Sequence, residues 1–143
     1  MLFGISVSMM FLIWAPQMLP HKRDLNWIAS LGGYLSKEKK PIPAHKFNAG
    51  QKLWFWLVTL GGMFMCFSGW AMYRLWGNMQ FLNVMALVHN VMAVLIVAMY
   101  LVHVYLTLWG IKGAWRSMIT GNKSEEEVAI LHNDYYRELR SSK

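Results

Sequence analysis

Residues 82–109 read LNVMALVHNVMAVLIVAMYLVHVYLTLW, and this stretch decides the fold. It contains no Asp, Glu, Lys or Arg. It is long enough to cross the hydrocarbon core of a bilayer with some tilt. A charge-free apolar run of this length is typical of a transmembrane helix, so the sequence predicts a membrane protein.

Two histidines interrupt this run, His89 and His103, fourteen residues apart. On a helix this spacing puts both imidazoles on nearly the same stripe, offset by about 40°. The rise between them is roughly 21 Å, so one ring lies near each face of the hydrocarbon core. Small residues on the same stripe, such as Ala93, leave room for a bulky group against the helix.

The chemistry of these two imidazoles favours metal ligation. An ionisable side chain inside a membrane is costly and usually serves a function. Neutral imidazole is the commonest metal ligand among side chains, and haem iron is commonly held by His. The alternative is that each ring only hydrogen-bonds a neighbouring helix. We therefore predict that His89 and His103 are axial ligands of two haems stacked across the membrane.

The composition supports an all-α membrane protein. Of the 143 residues, 56% are hydrophobic and only 15% are charged, which is less charge than a soluble domain carries. The charge-free stretches predict a single membrane domain over residues 1–143, a transmembrane helix bundle with a C-terminal helix. The three spans cover about residues 2–20, 53–73 and 82–109, and a turn at 76–80 separates the last two.

The placement of basic residues predicts the topology. Seven Lys and Arg residues lie in 21–52 and six in 110–143, whereas only Arg74 lies between the last two spans. By the positive-inside rule, residues 21–52 and the C-terminal tail 110–143 are predicted to be cytoplasmic. The net charge of +7 does not favour nucleic-acid binding, because no basic face exists apart from these membrane-flanking segments.

The cytoplasmic segments carry signals for shorter helices. Asp24 is a candidate N-cap of an amphipathic helix that ends near Gly32 and Gly33. Ser124 and Glu127 form a capping-box pattern, which predicts a helix running to about Leu139. We expect His132, within that helix, to be a surface residue.

Residues 44–54, AHKFNAGQKLW, lead into the second span at its cytoplasmic end. Asn48 and Gln51 carry amide donors and acceptors, and Gly50 allows a close approach of backbone to a ligand. Because His103 lies at the same membrane face, a flat ligand with carbonyl groups could bind among these four residues. The alternative is that Asn48 only caps a helix.

Several segments together resemble a known family. They are FNAGQK at 47–52, SG at 68–69, VHN at 88–90, LVH at 101–103, WGIKGAWRSMITG at 109–121 and YYREL at 135–139. This set resembles the cytochrome b membrane (gamma) subunit of respiratory formate dehydrogenases, from near residue 1 to Leu139. Cytochrome b subunits of hydrogenases and thiosulfate reductases are related alternatives.

The resemblance implies a four-helix bundle with two b-type haems and a menaquinone site. His89 and His103 match two of the family's four haem ligands. The other two ligands have no match here, so we expect an N-terminally short chain whose missing part comes from another polypeptide or was lost. His21 or His45 could replace one ligand. Gly69, at the depth of His89, is expected to pack on a haem, as is Ala93.

The resemblance also implies partners and a role. An iron–sulfur (beta) subunit and a molybdenum or tungsten catalytic (alpha) subunit would oxidise formate, and this chain has no catalytic formate site. It would pass electrons through the haems to menaquinone bound near Asn48, Gly50, Gln51 and His103. The alternatives are a haem-free membrane anchor and a proton- or ion-translocating module that uses the intramembrane histidines.

Overall fold

The computed structural model of the chain describes residues 2–33, 41–111 and 113–142, and within these ranges it is helical with no β-strand. The helices in order are α1 (Leu2–Trp14), α2 (Lys22–Ala29), α3 (Ala49–Tyr73), α4 (Met79–Gly110), α5 (Ala114–Thr120), α6 (Glu125–Leu131) and α7 (Asn133–Ser141). Helices α3 and α4 each contain a π-helical turn, at Leu57–Gly61 and Leu106–Gly110.

Two of these helices, α3 and α4, are long and apolar enough to cross a membrane. Helix α1 is shorter, because its α-helical part ends at Trp14 and continues as a 3-10 turn over Ala15–Met18 that contains Pro16. Proline lacks the N–H that a continuing helix needs, which accounts for the change of helix type. The all-helical fold is thus confirmed within the described residues, with two helices able to cross a membrane, whereas the third span and the topology stay predictions.

Helices α3 and α4 form an antiparallel hairpin through a tight turn. Leu75 and Gly77 have positive φ angles of 50° and 89° in this turn. A side chain at Gly77 would also come within 2.9 Å of Phe81. The Asn78 side chain then caps α4 by accepting a hydrogen bond from the Phe81 N–H at 2.8 Å. The turn predicted at 76–80 is therefore confirmed, although the first residue of α4 is already Met79.

The segment before α3 packs against the first half of that helix. The Phe11 and Trp56 rings meet edge to face, with centroids 6.1 Å apart, and the Trp56 indole donates a hydrogen bond of 2.8 Å to the Met18 carbonyl. The Lys52 ammonium donates to both carboxylate oxygens of Asp24, at 3.0 and 2.8 Å. Both side chains of this ion pair are mostly buried. These contacts fix the end of α1 and the start of α2 beside the first turns of α3.

The start of α2 differs from the prediction. His21, and not Asp24, is the N-cap, since its Nδ1 accepts from the Arg23 N–H. Asp24 is the third helical residue and accepts from the His21 N–H at 2.7 Å, which completes a capping box. The prediction of Asp24 as the N-cap is wrong because a histidine ring can serve as the acceptor that Ser, Thr, Asp or Asn normally provides.

The C-terminal segment folds back onto the loop that precedes α3. The Ser124–Glu127 capping box is confirmed, with both reciprocal hydrogen bonds present. The predicted continuous helix is interrupted at His132, whose φ and ψ are −137° and 52°. Ile42 bridges this break, since its N–H donates to the Ile130 carbonyl at 2.9 Å and its carbonyl accepts from the Asn133 N–H at 3.4 Å.

Candidate functional site

The α3–α4 hairpin brings each membrane histidine against a specific residue of α3. Three contacts follow one another along the hairpin, Trp54 with His103, Gly61 with Ile96, and Ser68 with His89. Successive contacts are seven residues apart on each helix, which is two helical turns. The two histidines therefore lie on the face of α4 that is turned toward α3, one near each end of the pair.

His89 is held by two neighbouring residues of α3. The Ser68 hydroxyl oxygen lies 3.0 Å from His89 Nδ1. A Cβ atom at Gly69 would lie 3.4 Å from Cε1 and 3.8 Å from Nδ1 of the same ring. The structure thus places the imidazole directly over Gly69. The packing of Gly69 and Ala93 on a haem stays a prediction.

His103 is held in a different way. The Trp54 indole stacks on its imidazole, with centroids 4.8 Å apart and planes inclined by 11°. Within the described residues neither ring nitrogen of His103 makes a hydrogen bond. A nitrogen lone pair lies in the plane of the imidazole, so stacking on the ring face leaves the coordinating edge free. His103 is otherwise exposed. Sequence reasoning missed Trp54 because its contact depends on the register of the hairpin.

The first turn of α3 is closed by a capping box between Asn48 and Gln51. Asn48 Oδ1 accepts from the Gln51 N–H at 2.9 Å, and Gln51 Oε1 accepts from the Asn48 N–H at 3.0 Å. The helix cap considered for Asn48 is therefore confirmed. Both amide oxygens are used in the cap, and in the described part of the chain neither amide nitrogen donates a hydrogen bond. The two NH₂ groups remain as donors.

Gly50 has a structural reason to lack a side chain. A Cβ atom there would lie 2.7 Å from Cη2 of Trp27, on α2. The indole ring of Trp27 therefore covers the backbone of Gly50, where the sequence predicted the approach of a ligand. Trp54, six residues after Asn48 on the same helix, contacts His103. The capping box and His103 are thus at the same end of the hairpin, as the sequence predicted.

A cavity of about 410 Å³ opens beside this end of the hairpin. It lies between the end of α1, the start of α2 and the loop before α3, and its ionisable lining residues are His21, Arg23, Asp24, His45, Lys46 and Lys52. Neither His103 nor the amides of the capping box line it. The two histidines considered as replacement haem ligands have other partners: His21 caps α2 through its Nδ1, and His45 Nε2 lies 2.8 Å from the Glu138 carboxylate.

His132 is buried, so its prediction as a surface residue is wrong. Only 4% of the residue is exposed. Its Nδ1 donates to the His45 carbonyl at 2.8 Å, and its Nε2 lies 3.1 Å from the Lys123 ammonium. Burial lowers the pKa of His132, and the charge of Lys123 lowers it further. The backbone hydrogen bond to His45 opposes this shift.

Comparison with known proteins identifies the family. Residues 1–121 match the family model of prokaryotic cytochrome b561, which is most of the chain. This chain belongs to the prokaryotic cytochrome b561 family. Its members are membrane proteins whose name implies haem b.

Individual relatives of this chain carry formate dehydrogenase names. The nitrate-inducible formate dehydrogenase cytochrome b556(Fdn) subunit of Escherichia coli (strain K12) is 27% identical, with 98% of this chain and 68% of that subunit covered. The formate dehydrogenase cytochrome b556 subunit of Haemophilus influenzae is 26% identical, with 100% of this chain and 61% of that subunit covered. The sequence resemblance to formate dehydrogenase cytochrome b subunits is therefore confirmed.

The residues present fit the haem b that the cytochrome b561 family implies. The described residues hold no group of three or more His, Cys, Asp or Glu that could bind a bare metal ion. A haem iron, however, is already held by its porphyrin and takes only axial ligands from the protein, commonly His. His89 and His103, each presented singly by α4 toward α3, have the donor chemistry that this group requires.

Proposed function

We propose that this chain is the membrane cytochrome b subunit of a formate dehydrogenase complex in a bacterial inner membrane. It would anchor the catalytic subunits and carry electrons across the membrane through two haems to menaquinone. The observation that supports this most directly is the pair of imidazoles at opposite ends of α4, each held by a residue of α3. The formate dehydrogenase names of the relatives supply the reaction.

The catalytic chemistry belongs to the proposed partners. A molybdenum or tungsten alpha subunit would oxidise formate, and an iron–sulfur beta subunit would deliver the electrons to the outer end of the hairpin. Within this chain, His89 would ligate the outer haem iron and His103 the inner one. Bound haem supplies a one-electron carrier at each position. Ser68 and Trp54 hold the two rings in place from the neighbouring helix.

A menaquinone site is proposed at the inner end of the hairpin, formed by Asn48, Gly50, Gln51 and His103. The capping box supports it, because it uses the amide oxygens and leaves the NH₂ groups of Asn48 and Gln51 as donors to a quinone carbonyl. Uncharged donors suit a partly apolar pocket. Trp27 packs over Gly50, so Gly50 would contribute to the site by letting the indole ring of Trp27 lie against the first turn of α3.

The test is haem content in the purified complex, with His89→Ala and His103→Ala. Each variant is expected to lose one haem and to keep the other, since each would remove the proposed iron ligand of a different haem. His45→Ala is the matched control, because its ring pairs with Glu138 outside the hairpin. A complex without a b-type alpha band would favour a haem-free anchor. Two full haems in both variants would reject the ligand assignment.

A further inference from the structure

Ser68 makes three hydrogen-bonding contacts, two to carbonyls of its own helix and one to His89, in a site closed to solvent. Only 1% of the residue is exposed. Its Oγ lies 2.7 Å from the Phe64 carbonyl oxygen, one turn back on α3, and 3.2 Å from the Met65 carbonyl oxygen. On the other side Oγ lies 3.0 Å from Nδ1 of His89. The hydroxyl therefore links the backbone of one helix to the imidazole of the other.

Only one arrangement of hydrogens lets the Ser68 hydroxyl bond both to a carbonyl of α3 and to His89. A serine hydroxyl has a single hydrogen and can also accept, whereas a carbonyl oxygen can only accept. Buried serines in helices commonly donate to the carbonyl one turn back. The hydrogen of Ser68 thus goes to Phe64, at the shorter distance, and its oxygen accepts from Nδ1–H of His89. A neutral imidazole protonated at Nδ1 carries its lone pair on Nε2.

We propose that Ser68 is a positioning residue that fixes the tautomer and orientation of His89 and thereby tunes the outer haem. The proposal rests on the proposed function, in which His89 ligates haem iron. Metal-bound histidines generally donate their second ring N–H to an acceptor, which fixes the tautomer, orients the ring and raises the basicity of the ligand. A more basic ligand favours ferric iron, so Ser68 would lower the reduction potential of this haem.

The two ends of the hairpin differ in this respect. His103 is oriented by the stacked Trp54 ring and, among the residues that the structure describes, has no acceptor for a ring N–H. Loss of the Ser68 hydroxyl would therefore change the outer haem only. Gly69 lies against the same ring, since a Cβ atom there would be at van der Waals distance from the His89 imidazole.

The test is a redox titration of the purified complex with Ser68→Ala. The matched control is Thr59→Ala, which removes another fully buried hydroxyl of α3 that donates to the carbonyl one turn back but contacts no histidine. Ser68→Thr keeps the hydroxyl. The His89→Ala and His103→Ala variants show which of the two titration waves belongs to the outer haem.

Ser68→Ala is expected to shift the outer wave to a more positive potential, or to weaken retention of that haem on the order of 10- to 100-fold, with the inner wave unchanged. Thr59→Ala and Ser68→Thr are expected to titrate as the wild type does. An outer wave that stays in place in Ser68→Ala, or one that moves equally in Thr59→Ala, would overturn the proposal. Failure of the proposed function appears separately, as wild-type complex without haem or as His89→Ala with both haems.

Discussion

His132 keeps a neutral ring because both of its nitrogens have partners that suit that form. Nδ1 donates to the His45 carbonyl, and Nε2 accepts from the Lys123 ammonium. A second proton would place a donor against that ammonium inside a buried site, which is why burial and Lys123 lower the pKa of His132. Burial also lowers the pKa of Lys123 itself, against the opposing charge of Glu127. These contacts dock the C-terminal segment onto the loop before α3.

The docking of this segment is expected to weaken in acid. The pKa of His132 is lowered in the folded state, so the undocked state binds more protons and stability rises with pH. The stability is present above the ordinary histidine pKa of about 6.5 and is lost as pH falls below it toward the folded-state pKa. Hydrogen exchange of the α7 amides at pH 7.5 and about 5.5 measures this loss.

The variant that isolates His132 is His132→Gln, which keeps one donor and one acceptor but cannot titrate. It is expected to remove most of the acid-induced exchange. His21→Gln is the matched control, since His21 is exposed and caps a different helix. An acid response of the same size in His132→Gln would show that other groups cause it.

At the scale of helices, substitutions in the first turn of α3 can distinguish helix capping from ligand binding. Asn48→Asp and Gln51→Glu keep the oxygen atoms that cap the helix and remove the NH₂ donors. Since one hydrogen bond contributes about 1 kcal/mol, reoxidation of the reduced haems by a menaquinone analogue is expected to slow by roughly threefold to tenfold. Haem content and reduction of the haems by the partner subunits should stay unchanged.

The control for this helix-start experiment is Asn78→Asp. Asn78 caps α4 in the same way but at the opposite end of the hairpin. The Asn78→Asp substitution should leave reoxidation of the haems unaffected. Normal reoxidation in both Asn48→Asp and Gln51→Glu would mean that these amides only cap α3.

The sequence predicted those features of the helices that depend on local chemistry. The caps at Asn48 and Ser124 follow from side chains that reach their own backbone, and both are confirmed. The break at His132 could not be predicted, because no proline or glycine marks it and its ring bonds to a carbonyl 87 residues away. Likewise, the partners of the two membrane histidines depend on the register between α3 and α4, which no local signal specifies.

For the whole molecule, the apolar surface indicates the surrounding medium. Leu87, Val94 and Leu101 are 64%, 67% and 63% exposed. Each lies two residues before one of the α4 residues that contact α3, which are His89, Ile96 and His103. A separation of two residues corresponds to about 200° around the helix. No residue of α4 is buried within the described chain. An exposed apolar face this long is stable in lipid or against other helices, and in water it would promote association.

The orientation of the hairpin in the membrane follows from its charges and can be tested by labelling. Thirteen basic residues flank the predicted inner ends of the helices and one, Arg74, lies at the α3–α4 turn, so this turn is expected outside the cytoplasm. In a background without Cys66, the only cysteine, Asn78→Cys should react with an impermeant maleimide on intact spheroplasts. Ser142→Cys, exposed in the C-terminal tail, is the matched site and should react only after permeabilisation. The reverse pattern would invert the hairpin and place His103, with the proposed quinone site, on the outer face.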